Sequence, residues 1–504
     1  MGKVVMLQGT GSSVGKSLLV TGFCRVFAQD GYMVAPFKAQ NMSRNSGVTP
    51  DGLEIGRAQV AQAEAAGIEP SVEMNPILLK PEADSRSQLV AMGKMRGTIH
   101  SMQFADRHHR RKVLWPYVTN SLDTLRRQYD IVVIEGAGSP AEINLRAGDI
   151  VNMAVALYAD APVFLIGDID KGGVFASLYG THALISDEER NLVKGFIINK
   201  FRGDVRLLEP GLDQIEGLTG VGVTGVVPYF TDVYVPEEDS PREARMSGFA
   251  GQDGHVEVAV VALPHIANFD EFDPLAMHDG VRLRYVREAE EFGDPDLVVL
   301  PGSKVTIADM DFVRDSGIED RIRRHLWNGR ALIGVCGGMQ MLGNTIYDPD
   351  GIESDKAMVE GLGVLDLDTR FIGEKLTTRT EGRIVGERGL LSGALGMSVS
   401  GYEIHVGVTE SDEGASRAME TADGSAALGY ADRTGRVFGT YVHDLFKNKA
   451  FADSIVGNVA RMKGLKQPDD SEPFSQEAEF DKLAAYLRKH LDMKAVYGAM
   501  GLSS

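Results

Sequence analysis

The chain has 504 residues, 43% hydrophobic and 24% charged, with a formal net charge of −19. That length exceeds one ordinary core and predicts about two or three domains, while the near-average composition excludes a disordered or fibrous chain. The acidic balance argues against a nucleic-acid partner, which would demand an excess of Lys and Arg. No apolar run approaches the roughly 18 residues of a bilayer span, and no charged-then-apolar leader precedes the first strand. Met1-Gly2-Lys3-Val4-Val5-Met6 also lacks a myristoylation signal, so a cytoplasmic protein with no membrane partner is expected. Cys24 and Cys336, the only cysteines, make neither a disulfide framework nor a zinc site.

The apolar run at residues 4–7 leads into Gln8-Gly9-Thr10-Gly11-Ser12-Ser13-Val14-Gly15-Lys16-Ser17. A glycine-rich turn between a buried strand and a helix presents several N–H groups to one point, and that point attracts phosphate. In this pattern the backbone of Gly11, Ser12, Ser13, Val14 and Gly15 cradles the phosphates of a nucleotide. Lys16 reaches the outer phosphates, and Ser17 offers its hydroxyl to magnesium. Thr10 stands at the first glycine position of G-x-x-x-x-G-K-[ST]. The spelling GTGSSVGKS resembles the P-loop of dethiobiotin synthetase and of the amidotransferases built on the same fold.

Further strands are predicted at residues 33–37, 131–134, 163–166, 196–198 and 223–227, alternating with helical patterns as in a doubly wound parallel sheet. Residues 56–66 are alanine-rich and favour helix. Ligands on such sheets bind at the carboxyl ends of the strands, and polar residues gather there. Asn41-Met42-Ser43-Arg44-Asn45-Ser46 and Asp51-Gly52-Leu53-Glu54-Ile55-Gly56-Arg57 read as a polar loop entering a helix. Glu135 ends a buried strand as a magnesium candidate, or else as a cap for the next element, and Glu54 offers a second metal position or a solvated first-turn glutamate. Asp168 repeats the pattern of an acid at a strand end. Asn199 supplies an amide suited to reading an adenine edge, with Lys200 beside it. The basic segment at residues 100–112 matches no zinc signature and reads as a solvated helix face. A first domain at residues 1–235 and a polar linker at 236–255 are expected.

A second sheet begins at residues 256–263 and continues at 297–300, followed by the glycine turn Pro301-Gly302-Ser303-Lys304. The central signal of this half is Gly334-Val335-Cys336-Gly337-Gly338-Met339-Gln340, a G-x-C-x-G between a short buried strand and a helical pattern. Such a nucleophile elbow exposes its central side chain at a helix N-terminus, where cysteine pKa values fall from about 8.5 to roughly 3.5–7.5. Cys336 is the expected nucleophile, with backbone N–H groups near Gly302 and Gly337 as oxyanion donors. The base is His443 at the end of a strand, with His405 as the rival. A helical stripe of Phe480, Leu483, Ala484, Leu487 and Leu491 closes a C-terminal domain set at 256–504.

A P-loop synthetase fused to a G-x-C-x-G glutaminase resembles the cobyric acid and cobyrinic acid diamide synthase family. Gln40-Asn41-Met42-Ser43, Asp168-Ile169-Asp170-Lys171-Gly172-Gly173, Asn199-Lys200-Phe201-Arg202-Gly203-Asp204 and Pro264-His265-Ile266-Ala267-Asn268-Phe269-Asp270-Glu271-Phe272-Asp273-Pro274-Leu275 carry that resemblance. It implies an α/β fold in two parts: a dethiobiotin synthetase-like P-loop doubly wound parallel sheet and a class I glutamine amidotransferase-like domain. It also implies ATP- and Mg²⁺-dependent amidation of the b, d, e and g carboxylates of adenosylcobyrinic acid a,c-diamide. Glutamine would be the ammonia source. The partners so implied are glutamine and a corrinoid; self-association as a homo-oligomer is also open. Arg44 and Arg57 are expected to line the corrinoid pocket, or else to pair with Asp51 and Glu54. Glutaminases of this class often carry His-x-Glu, whereas Leu445 stands two residues after His443. A Cys-His dyad, or an acid from elsewhere, must serve.

Overall fold

The computed structural model describes residues 1–83, 86–100, 110–230, 233–235, 255–411, 414–465 and 475–503. Most of the basic segment, at 101–109, and nearly all of the expected linker, at 236–254, lie outside the described residues. By internal contacts the chain forms two units, Met1–Asp239 with Ser475–Ser504, and Ser240–Phe474.

In the first unit β1 (Lys3–Gly9), β2 (Val34–Phe37), β3 (Ile131–Glu135), β4 (Val163–Asp168), β5 (Val193–Phe201) and β6 (Val223–Pro228) lie in the order β6-β5-β4-β1-β3-β2. All neighbours run parallel. Successive side chains point to opposite faces, and here both faces are covered. Met6, Val132, Ile134 and Leu165 enter one core, and Leu7, Val133, Phe164 and Ile166 enter the other. The strands are therefore continuous apolar runs. Strand order reverses beside β1, which places the loop after β1 at the crevice where such sheets take ligands.

Two parts of this unit differ from the sequence reading. The polar stretch after β2 is not a plain loop. It folds into a hairpin of Ser46–Val48 with Glu54–Gly56 and into a four-stranded sheet of Gln40–Met42, Ile77–Ala83, Arg86–Ala91 and Lys94–His100. Strands of three residues are too short to display a period. The C-terminal helix Gln476–His490 belongs with the first unit and not with the glutaminase half. Its apolar stripe packs on α1 (Lys16–Gln29), where a Cβ on Gly22 would come within 2.4 Å of Leu487. Arg25 pairs with Asp481 at 2.7 Å, and Arg488 with Asp30 at 2.8 Å. A stripe shows that a helix packs but not which surface receives it.

The second unit carries β7 (Val256–Val261), β8 (Val281–Val286), β9 (Leu297–Leu300), β10 (Ala331–Val335), β11 (Leu367–Ile384), β12 (Ser398–Ser411) and β13 (Val437–Thr440). Its parallel part runs β8-β7-β9-β10-β13, with antiparallel strands continuing past β13. β11 and β12 form a long antiparallel ribbon that the sequence reading did not anticipate. The expected strands at the carboxyl ends of which the chemistry gathers are β9, β10 and β13.

Candidate active sites

In the first unit the turn after β1 closes onto the start of α1 at Gly15, whose φ of 96° suits glycine. Ser13 is also left-handed, at φ 56°. Lys16 Nζ donates to the Gly11 carbonyl at 2.8 Å and to the Gly138 carbonyl at 3.2 Å, which draws the loop after β3 against the P-loop. Ser12 and Ser13 are exposed, whereas the side chain of Val14 is buried.

Glu135 is the hub of this site. It is 1% exposed; its Oε1 accepts from Ser17 Oγ at 2.7 Å and pairs with Lys38 Nζ at 2.8 Å. Its Oε2 accepts from Gln62 Nε2 at 2.7 Å. Burial alone would push the carboxyl up, but Lys38 and the hydrogen bonds from Ser17 and Gln62 outweigh it and hold the group below its ordinary value. An ionised carboxylate beside a serine hydroxyl at the phosphate loop is a hard oxygen donor set suited to magnesium. Among the described residues no group of three or more His, Cys, Asp or Glu could hold a metal ion.

Three expected residues take other partners here. Glu54 is neither a solvated glutamate nor set beside Glu135 by any contact described; it is 2% exposed and accepts from Lys80 Nζ at 2.7 Å and Ser46 Oγ at 2.9 Å. Asn199 turns its amide inward and donates to the Val14 carbonyl at 2.8 Å, bracing the P-loop. Lys200 bridges the Ser13 carbonyl at 2.7 Å and Asp168 Oδ2 at 2.9 Å. Arg44 is half-buried and Arg57 is 3% exposed at the first turn of the helix Arg57–Ala65. The pairing of Ser46 with Gly56 brings the two arginines to the same end of the small hairpin.

In the second unit Cys336 follows β10 and starts the helix Gly337–Leu342, with φ 52° and ψ −110°, a conformation costly for any side chain. The sequence permits it through glycine. A Cβ on Gly338 would sit 2.0 Å from the Leu300 carbonyl oxygen, so only glycine lets the helix approach β9 this closely. Cys336 is 6% exposed; its Sγ donates to the Ile404 carbonyl at 3.6 Å and is close enough to His443 to raise the affinity of the imidazole for its proton. Gly302 and Gly337 meet at this point: a Cβ on Gly302 would lie 3.0 Å from His443 Cε1, and one on Gly337 would lie 3.0 Å from the Ser303 nitrogen.

His443 is 2% exposed and lies beyond the end of β13, bridged to Tyr402 on β12 and stacked on its ring at 5.3 Å. Its Nδ1 lies 3.1 and 3.3 Å from the two oxygens of Glu271. A carboxylate there requires the proton on Nδ1 and leaves Nε2 for Cys336 chemistry. Burial would lower the imidazole pKa, but Glu271 and Cys336 outweigh it and hold it well above its ordinary value. The rival His405 stacks on Tyr441 at 3.7 Å and meets the Gly407 carbonyl at 2.8 Å, a packing role. Asp444, at φ 60°, pairs with Lys447 at 2.9 Å.

Glu271 was not singled out from sequence. Its one signal was an acidic pair, Asp270-Glu271, set between Phe269 and Phe272 in a segment otherwise suited to burial.

Residues 5–241 match the CobQ/CobB/MinD/ParA nucleotide binding domain, and residues 257–451 match the CobB/CobQ-like glutamine amidotransferase domain. The chain is 47% identical to the cobyric acid synthase of Dehalococcoides mccartyi strain CBDB1 over 99% of each protein. It is 46% identical to that of Thermoanaerobacter sp. strain X514 over 98% of each, and 48% identical to that of Salmonella heidelberg strain SL476 over 99% of each. The chain belongs to the cobyric acid synthase family. It is thereby a glutamine-dependent amide ligase of cobalamin biosynthesis with a nucleotide-binding domain. Among the described residues no helix is long and apolar enough to cross a membrane.

Proposed function

We propose that this chain uses ATP and glutamine to amidate the b, d, e and g carboxylates of adenosylcobyrinic acid a,c-diamide. The observation that carries this reading is the presence in one chain of two sites with complementary chemistry. One is a buried Cys336–His443 pair on an elbow, and the other is a P-loop whose Ser17 meets an ionised Glu135.

In the glutaminase, Cys336 Sγ attacks the side-chain carbonyl carbon of glutamine. Backbone N–H groups at Gly337 and the Gly302-Ser303 turn receive the oxyanion. His443 Nε2 delivers the proton with which the amide nitrogen leaves as ammonia, and water then hydrolyses the thioester to glutamate. In the synthetase, the P-loop amides and Lys16 hold ATP in line with a substrate carboxylate, which takes the γ-phosphoryl group as ADP leaves. Ammonia attacks the acyl carbon, and phosphate departs. Mg²⁺ held by Ser17 and Glu135 would neutralise charge on the phosphates. Arg44 and Arg57 would receive corrinoid carboxylates, whose charge the acidic chain must offset locally.

Cys336→Ala tests the division of labour. Glutamine-driven amidation should vanish while ammonium-driven amidation persists; retained glutaminase activity would remove Cys336 from its role.

A further inference from the structure

We infer that Glu271 is the positioning residue of the glutaminase, and that the stretch from His265 to Glu271 sets the base and the oxyanion turn together. This deepens the proposed glutaminase and rests on that reading. His-x-Glu is absent, and the acids close to His443 in sequence or on its neighbouring strand are otherwise engaged: Asp444 with Lys447, and Glu403 with Thr380 at 2.8 Å. Glu271 lies 172 residues away in sequence and yet presents both carboxylate oxygens to His443 Nδ1. One of those oxygens also accepts the Asp444 backbone N–H at 3.3 Å, which fixes the left-handed residue that follows the base. Burial pushes the Glu271 carboxyl above its ordinary value, and the charge and hydrogen bond of His443 draw it back only in part.

The other end of the stretch holds the oxyanion turn. The Ala267 N–H donates to the Gly302 carbonyl at 2.9 Å, and the Lys304 N–H donates to the His265 carbonyl at 2.9 Å. These bonds leave the intervening Ser303 N–H directed away from the bridge, on the side where Gly337 approaches. Asp309, fully buried, joins both strands of the turn. It accepts from His265 Nδ1 at 2.8 Å and from Ser303 Oγ at 2.6 Å. Seven consecutive residues therefore hold the oxyanion turn through backbone pairing and the imidazole through one side chain. The acid is supplied from the oxyanion side of the site instead of from the strand that bears the histidine.

The test uses the full chain, with glutaminase turnover followed across pH and ammonium-driven amidation as the control for folding. Glu271→Gln should lower glutaminase kcat by about 10²–10⁴-fold, the range for loss of a base or its orienting acid. Glu271 raises the affinity of His443 for its proton. Removing that charge moves deprotonation of the imidazole, and with it the alkaline limb of the profile, to lower pH. Glu271→Asp should recover part of the turnover and part of the shift, and ammonium-driven amidation should stay near wild type in both. Full turnover in Glu271→Gln would overturn the inference. So would a loss with an unmoved alkaline limb and no recovery in Glu271→Asp, because a merely structural residue would behave that way. A wild-type chain that hydrolyses glutamine yet leaves the corrinoid unamidated would instead overturn the proposed substrate, and the Glu271 comparison would still be readable.

Discussion

Both units place a tight turn between a parallel strand and a helix, and both put their chemistry on it, but they tolerate the turn in opposite ways. At the P-loop the strained position is a glycine, Gly15 at φ 96°, and the ligand is addressed by backbone N–H groups and the following Lys16. At the elbow the strained position must carry the nucleophile, so Cys336 itself stands at φ 52° and ψ −110°, and the glycines lie around it. Backbone strain of this kind costs on the order of 1–3 kcal/mol per residue. The elbow places that strain on its nucleophile and packs Gly338 closely on β9, whereas the P-loop carries it at Ser13 and gives the turn into its helix to Gly15. A phosphate needs only a concave backbone, whereas covalent catalysis needs a side chain held forward.

The two reactive side chains, Lys16 and Cys336, should give the largest effects when substituted. Lys16→Ala should remove amidation from either nitrogen source by about 10²–10³-fold while glutaminase turnover survives, the converse of Cys336→Ala. Coupled ADP release and glutamate release, measured side by side, check it. A less drastic break is Gly15→Ala. Its Cβ would come 2.2 Å from Asn199 Nδ2 and would occupy a left-handed backbone, so the KM for ATP should rise about tenfold or more, with KM for glutamine unchanged.

The substrate side of the P-loop unit supplies a third test. If Arg44 and Arg57 receive corrinoid carboxylates as proposed, Arg44→Met and Arg57→Met should each lose a charge-assisted hydrogen bond of about 1.5–3 kcal/mol, a rise of about 10–100-fold in corrinoid KM in the ammonium-driven assay. Unaltered KM values in both variants would clear these residues from the pocket. The smallest effect is expected at His405→Asn, which alters a side chain stacked on Tyr441 and not the imidazole that transfers the proton. Glutaminase turnover should fall only a few-fold, against about 10²–10⁴-fold for His443→Ala.

Much of this architecture was legible because buried parallel strands write themselves as continuous apolar runs. All six strands of the first sheet, from residues 4–7 to 223–227, could be placed for that reason. The two turns were legible as well, since Gly15-Lys16-Ser17 and Gly334-Val335-Cys336-Gly337-Gly338 each act within a few residues. What escaped notice acts over distance. The Glu271 carboxylate finds His443 only after the fold closes a sequence separation of 172 residues. The pairing of Glu54 with Lys80 likewise depends on a three-residue strand, Glu54–Gly56, too short to show alternation. Phe480, Leu483 and Leu487 declared a buried helix face, but α1 could be identified as its partner only from the packing at Gly22.

The central claim is that nitrogen released at Cys336 ends as side-chain amides on a corrinoid activated at the P-loop. Mass spectrometry of adenosylcobyrinic acid a,c-diamide incubated with the chain, ATP and glutamine carrying heavy nitrogen in its side-chain amide measures this directly. The b, d, e and g carboxyls should convert stepwise to labelled amides, and omitting ATP should abolish the conversion. A corrinoid whose mass does not change, while glutamate and ADP accumulate, would contradict that claim.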